Sequence, residues 1–162
     1  MAQKDVGNKV PIYKLKETKE VMDFYDEWGL DNKYDKDMVE WNYTGPKETV
    51  EVFNKYQKEK DINIYDAGCG TGLVGVELKK YGFTNFFGAD LSQKLLDLVP
   101  NNLYKKLDKV DLNKPINEKD DQYDALMCVG TFTFGHVKPP ALDEFIRICL
   151  LYTSPSPRDP VS

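Results

Sequence analysis

The residues best suited to chemistry are three alternate glycines that follow a carboxylate, Asp66-Ala67-Gly68-Cys69-Gly70-Thr71-Gly72. An apolar run at 62–65 precedes them and a helical pattern at 73–80 follows, which predicts a turn from strand to helix. Glycine permits such a turn, and it lets a ligand approach backbone N–H groups near the positive end of the helix. The carboxylate at the strand end favours a cation or a hydrogen-bond donor. The amino acid or nucleoside part of a ligand would provide both.

Two further carboxylates follow predicted strands. Asp90 lies 20 residues after Gly70, a spacing that together with the glycines indicates a cofactor site, and Asp111 follows a strand at 104–110. The carboxyl ends of parallel strands meet at one edge of a sheet, where ligands bind. Each aspartate taken alone is also compatible with an ordinary solvated turn.

Composition narrows the range of functions. The chain has 162 residues, with 27 acidic and 22 basic side chains and a net charge of −5, which disfavours binding to nucleic acid or to an anionic membrane. Its three cysteines are widely spaced, so they indicate neither a disulfide framework nor a zinc site. No apolar stretch is long enough to span a bilayer. We expect a single cytoplasmic domain without a metal.

The first sixty residues predict helices rich in aromatic side chains. Residues 1–14 are polar and are expected to be disordered, whereas residues 15–60 carry helical patterns. One helix ends at Gly29, a shorter one covers 37–41, and a third begins near Pro46. Three aromatic residues lie at helical or nearly helical spacing: Tyr25, Trp28 and Tyr34. This spacing favours a place in the hydrophobic core, and a lid over a cofactor is the alternative.

From residue 62 onward the pattern alternates between strand and helix. Predicted strands are 62–66, 85–88, 104–110 and 123–129, and predicted helices are 73–80, 92–99 and 139–148. Alternation of this kind predicts the α/β class, a parallel sheet with helices on both faces.

The last twelve residues do not continue that pattern. Residues 151–162 contain three prolines and three serines, and their sequence looks like the translation of a vector or an adaptor. We expect an unstructured, non-native tail after a domain at 15–150, with the natural domain cut near Cys149. A natural disordered tail is the alternative.

These motifs resemble one enzyme family. The ordered set 66–72, 88–92 (Gly-Ala-Asp-Leu-Ser), 110–112 (Val-Asp-Leu) and 123–126 (Tyr-Asp-Ala-Leu) resembles the class I S-adenosylmethionine-dependent methyltransferases over about 62–149. Further likeness, through Tyr-Asp-x-Trp at 25–28, Tyr-Asp-x-Asp at 34–37 and the segment 129–137, extends to the methyltransferase-like proteins of the Williams–Beuren syndrome region. The resemblance implies a Rossmann-like, seven-strand sheet, of which this chain carries about four strands.

The resemblance also implies a site for the methionine and ribose parts of S-adenosyl-L-methionine. By analogy, Gly68, Gly70 and Gly72 would pack against that part of the cofactor. Asp66 would lie near its amino group, and Asp90 would hold the ribose hydroxyls.

The adenine and the transferable methyl group would lie further along the same strand ends. Leu91 would contact the adenine, and Asp111 would accept from the adenine amino group beside the backbone of Leu112. Val129 and Gly130 would border the methyl group.

The family transfers a methyl group to an acceptor by direct displacement. Here the acceptor is unidentified; the charge favours a small molecule or a protein over nucleic acid. His136, the only histidine, could accept a proton near neutral pH, or could be a structural hydrogen-bonding group. No catalytic residue is assigned.

Two other functions compete with methyl transfer. Residues 70–75 satisfy Gly-x-Gly-x-x-Gly, which suits an NAD(P)-dependent oxidoreductase, although Asp66 would be a poor neighbour for a pyrophosphate. The other is a non-catalytic S-adenosylmethionine-binding module, or a fragment that does not fold stably, because the last three strands of the family's sheet usually build the wall that contacts the substrate.

Overall fold

A parallel sheet of four strands organises the part of the chain that the structure describes. The structure is a computed structural model, and it describes residue 15 and residues 17–132 and 137–150. The strands are β1 (Asn63–Ala67), β2 (Asn85–Asp90), β3 (Lys106–Lys109) and β4 (Ala125–Met127), and their order in the sheet is β3-β2-β1-β4. All three pairings are parallel, so all four carboxyl ends lie at one edge. The predicted α/β fold class is confirmed.

Six α-helices accompany the sheet within the described residues: α1 (Thr18–Trp28), α2 (Lys33–Glu40), α3 (Gly45–Tyr56), α4 (Leu73–Lys80), α5 (Gln93–Leu96) and α6 (Ala141–Ile148). A short 3₁₀ turn at Leu30–Asn32 joins α1 to α2. Helix α4 matches its predicted limits, whereas α2 begins before the predicted residue 37. Helix α5 ends before the predicted residue 99, because the Leu98 and Val99 N–H groups bond to carbonyls three residues back.

Helices cover both faces of the sheet, as alternation along β1 requires. The side chain of Ile64 packs on one face, in a cluster with Val50 of α3 and Leu78 of α4. Its neighbour Tyr65 packs on the other face, in a cluster with Phe145 of α6. Successive strand residues point to opposite faces, so the unbroken run of buried residues from Ile64 to Ala67 reflects burial of β1 on both sides of the sheet.

Two strands are shorter than their sequence patterns. The segment predicted as 104–110 is extended only over β3, because Tyr104 leaves the strand to pack in the core against Phe86, with ring centroids 5.1 Å apart. The segment predicted as 123–129 contributes three residues to the sheet, and Tyr123 forms an isolated bridge with Cys149.

Several sequence predictions lie outside the described residues. These are the disorder expected for residues 1–14, the unstructured tail expected at 151–162 and the candidate base His136. Among the helices that the structure does describe, none combines the length and the apolar character needed to cross a bilayer. All three cysteines are free.

Candidate functional site: a cavity at the strand ends

A cavity of about 630 Å³ lies at the carboxyl ends of the strands, and we call it the strand-end cavity. Its floor comes from the loops that follow β1, β2, β3 and β4, and its roof comes from α1, α2 and the segment before α3. The position is where parallel α/β sheets bind ligands. The volume lies within the range of small-molecule sites.

Asp90 is held on the wall of this cavity by two backbone amides. The Gly70 N–H donates to its Oδ2 and the Ser92 N–H donates to its Oδ1, both at 2.9 Å. Burial raises the pKa of Asp90, while hydrogen bonds from the Ser92 and Gly70 amides oppose the rise. The two amides fix the carboxylate in a single orientation beside the glycine loop.

The glycine loop turns from β1 into α4 through left-handed backbone. Gly68 has φ +80°, and a Cβ placed there would lie 2.3 Å from Thr131 Oγ1, so any other residue would strain the backbone and displace the Thr131 side chain. Gly68 and Gly70 line the cavity. Gly72 instead faces the core, where a Cβ would meet Leu103 at 3.2 Å.

Asp66 lies beneath the glycine loop. Its residue surface is 0% exposed, and Tyr104 Oη donates to its Oδ2 at 2.6 Å. Its Oδ1 has no hydrogen-bond partner within the part of the chain that the structure describes. Burial raises the pKa of Asp66 to about 7, against the lowering effect of the Tyr104 hydrogen bond. Asp66 does not line the cavity, although the sequence analysis placed it near the amino group of a ligand.

The structure brings together most of the residues that the sequence analysis selected. Eight of them line the cavity: Gly68, Gly70, Asp90, Leu91, Asp111, Leu112, Val129 and Gly130. Asp66 and Gly72 support the loop from below. Asp111 Oδ1 also accepts from the Asn113 N–H at 3.0 Å, so the carboxylate that faces the cavity belongs to a local turn as well.

Five aromatic side chains from α1, α2 and the segment between α2 and α3 line the cavity opposite the strand ends: Tyr25, Trp28, Tyr34, Trp41 and Tyr43. The sequence analysis favoured the hydrophobic core for Tyr25, Trp28 and Tyr34, and this prediction is wrong. Their rings pack on one another and face the cavity. The Tyr25 and Trp28 rings stack with centroids 5.9 Å apart, and Tyr34 meets Trp28 edge-on at 5.1 Å. Helical spacing shows that such side chains share a face, but not what lies opposite that face.

Tyr43 and Gly130 close the far side of the cavity. A Cβ at Gly130 would lie 2.5 Å from Tyr43 Oη, so the loop after β4 approaches the N-terminal segment through bare backbone. Gly130 has φ +74°, which also favours glycine. The sequence contained no local signal for this contact.

Two aspartates of the N-terminal helices bind hydroxyl groups of the cavity loops. Thr71 Oγ1 donates to Asp35 Oδ1 at 2.7 Å, and Ser92 Oγ donates to Asp26 Oδ1. Each aspartate directly follows a tyrosine that lines the cavity. Sequence reasoning noted these Tyr-Asp pairs only as part of a resemblance and assigned the aspartates no role.

Comparison with known proteins agrees with this geometry. A methyltransferase-domain family matches residues 64–155. Methyltransferase-like protein 27 of Homo sapiens is 32% identical over 125 residues, which cover 75% of this chain and 50% of that protein. The chain spans about half the length of that relative.

Solved structures share the fold. A Haloferax volcanii methyltransferase in complex with the Trm112 methyltransferase activator aligns with a TM-score of 0.62 and 20% identity, over 77% of this chain and 55% of that one. Magnesium protoporphyrin IX methyltransferase from Synechocystis, crystallised with bound S-adenosylmethionine, aligns with a TM-score of 0.54 and 20% identity, over 70% and 62%. Because the family match covers more than half of the sequence, the chain belongs to the methyltransferase-domain family.

Proposed function

We propose that the chain binds S-adenosyl-L-methionine in the strand-end cavity and is part of an enzyme that methylates an acceptor. We also propose that residues 15–150 form the methyltransferase domain. The observation that carries the proposal is Asp90, fixed between the Gly70 and Ser92 amides on the wall of a cavity beside bare glycine backbone. A carboxylate held in this way presents two acceptor oxygens to a vicinal diol.

The residues around the cavity suit each part of this cofactor. Gly68 and Gly70 offer backbone without a Cβ to the methionine and ribose parts, and Asp90 suits the ribose hydroxyls. Leu91 and Leu112 offer apolar contacts to the adenine. Asp111 offers a hydrogen-bond acceptor for the amino group of the adenine. Val129 borders the methyl end. When bound, the cofactor would supply an electrophilic methyl group on a sulfonium.

Charge supports a sulfonium cofactor over a dinucleotide. Three carboxylates line the described wall of the cavity, from Glu48, Asp90 and Asp111. These charges attract a cation, and the aromatic faces of the N-terminal helices reinforce the attraction. The same charges would repel the pyrophosphate of NAD(P), so the oxidoreductase alternative is disfavoured.

The acceptor is proposed to be a small molecule or a protein. A phosphodiester backbone would meet the acidic wall of the cavity on a chain whose net charge is already −5, which disfavours nucleic acid. Three free cysteines favour the reducing cytoplasm as the location.

Calorimetric titration of the chain with S-adenosylmethionine, S-adenosylhomocysteine and NADH tests the proposal. We expect saturable binding of the first two ligands and none of NADH. Tighter binding of NADH would contradict the cofactor assignment. Turnover assays with small-molecule and protein acceptors then separate an enzyme from a non-catalytic binding module, for which cofactor binding would persist without transfer.

A further inference from the structure

Two Tyr-Asp pairs, one on each of two N-terminal helices, connect these helices to the loops of the cavity. Tyr25-Asp26 belongs to α1 and Tyr34-Asp35 to α2. Both tyrosines line the strand-end cavity. In each pair the neighbouring aspartate accepts a hydrogen bond from a hydroxyl group of a cavity loop.

The two hydroxyl groups lie on either side of Asp90. Thr71 directly follows Gly70, whose N–H donates to Asp90 Oδ2, and Ser92 itself donates its N–H to Asp90 Oδ1. Asp35 therefore holds the loop on one side of Asp90, and Asp26 holds the loop on the other. The hydrogen bonds of both aspartates thus reach Asp90 through the loops and not through its carboxylate.

Burial makes these contacts strong and specific. Thr71 is 3% exposed and Ser92 is 1% exposed, so their hydroxyl groups lie away from water. Hydrogen bonds to a carboxylate in such surroundings are stronger than those between neutral groups. The contact from Asp35 also brings the Tyr34 hydroxyl near Gly70, at 4.0 Å from the position of a Cβ on that glycine.

We propose that Asp26 and Asp35 are positioning residues for cofactor binding, each fixing one of the two loops whose amides orient Asp90 and holding its neighbouring tyrosine on the cavity wall. The inference rests on the proposed function, because the ligand is S-adenosylmethionine. It assigns part of the cofactor site to helices outside the sheet.

The Asp35–Thr71 contact offers the sharper test, because each partner can be removed separately and Thr71→Ser keeps the hydroxyl group. Affinities for S-adenosylmethionine and S-adenosylhomocysteine are measured for Asp35→Ala, Thr71→Val, their combination and Thr71→Ser. We expect the dissociation constant to rise about tenfold in each of the first two, as for loss of one hydrogen bond to a charged group. The double variant should be no weaker than either single variant. Thr71→Ser keeps the hydroxyl group, so its dissociation constant should equal that of the unmodified chain.

Asp26→Ala extends the test to α1. Substitution of Ser92 is avoided because its Oγ also caps α5 by accepting the Leu95 N–H at 3.2 Å. Glu40→Ala on α2 and Asp23→Ala on α1 are matched controls, since both side chains are exposed and lie away from the cavity. Their affinities should equal that of the unmodified chain.

Ligand-free melting temperatures separate positioning from stability. A purely structural role would lower the melting temperature and leave the dissociation constant of the folded protein unchanged, and this result would overturn the inference. Failure of the unmodified chain to bind either ligand would reject the proposed function as well. If Asp35→Ala does not fold, the comparison of Thr71→Val with Thr71→Ser decides the question: equal affinities contradict the inference, and a tenfold difference supports it.

Discussion

Tyr104 connects the end of β1 to the start of α4 through a single hydroxyl group. It donates to Asp66 Oδ2 at 2.6 Å and accepts from the Gly75 N–H at 3.1 Å. Both partners are buried, and the two bonds span the glycine loop from below. The loop therefore depends on a residue that contacts no part of the cavity.

Tyr104→Phe should destabilise the chain by about 1–3 kcal/mol, because it leaves the Asp66 carboxyl and the Gly75 N–H buried without this partner. The measurement is the free energy of unfolding in urea. Tyr56→Phe is the control, since Tyr56 is 83% exposed and should leave stability unchanged. Equal stability of the two variants would show that the Tyr104 hydroxyl contributes nothing.

Asp66 should make stability depend on pH between about 4 and 7. Burial raises the pKa of Asp66 to about 7 in the folded chain, from an ordinary value of 3.8. Between these values the folded state binds more protons than the unfolded state, so the contribution of Asp66 is complete below about pH 4 and is lost as the pH rises toward 7.

Comparison with Asp66→Asn isolates this effect from other groups, such as Glu144, whose pKa is lowered by its hydrogen bonds to Arg147. The measurement is the difference in unfolding free energy between the unmodified chain and the variant across this pH range. We expect the advantage of the unmodified chain to shrink as the pH rises. A constant difference would contradict the raised pKa.

Asp90→Ala should weaken binding of S-adenosylmethionine by about 1–3 kcal/mol, because contacts to the ribose diol are lost. Calorimetric titration measures the change. Asp61→Ala, an exposed position at the opposite end of β1, should bind like the unmodified chain. Unchanged affinity in a folded Asp90→Ala protein would contradict the site assignment.

Gly68→Ala and Gly82→Ala separate backbone strain from steric contact. The two glycines have similar φ values, +80° and +85°, but a Cβ at Gly68 would lie 2.3 Å from Thr131 Oγ1, while one at Gly82 would meet nothing within 4 Å. Gly82→Ala should cost about 1 kcal/mol of stability from the left-handed backbone alone. Gly68→Ala should cost more, and Thr131→Ala should recover part of the excess. Equal losses measured by urea unfolding would refute the close approach of the two loops.

Local signals explain why the sheet and its flanking helices could be predicted from sequence. Helix α4 follows Gly72, which has a left-handed backbone, and it ends before a turn at Tyr81 and Gly82. Both of its limits could therefore be predicted from these glycines. Strands such as β1, which is buried from Ile64 to Ala67, alternate with helices along the chain, and this alternation indicates parallel pairing. The strand ends then define one edge, which located Asp90 and Asp111.

The roof of the cavity depended on contacts that no local pattern encodes. Asp35 meets Thr71 across 36 residues and Asp26 meets Ser92 across 66, so neither partner could be inferred from spacing. The sequence pattern predicted a strand that begins at Tyr104, but the ring of Tyr104 packs in the core beneath the glycine loop and the strand begins at Lys106. Asp66 followed the family pattern in sequence, yet its burial by Tyr104 is a tertiary feature.

The close approach of Tyr43 to Gly130 determines when a chain that is being synthesised can complete the strand-end cavity. A ribosome that has released residues up to Asp90 has already supplied the entire glycine loop, but the wall formed by Gly130 is added only when β4 joins β1. A chain that ends before β4 therefore contains the glycine motif but lacks Gly130 and the wall that this residue forms. We expect the affinity for the cofactor to depend on the presence of β4 and of the loop that follows it.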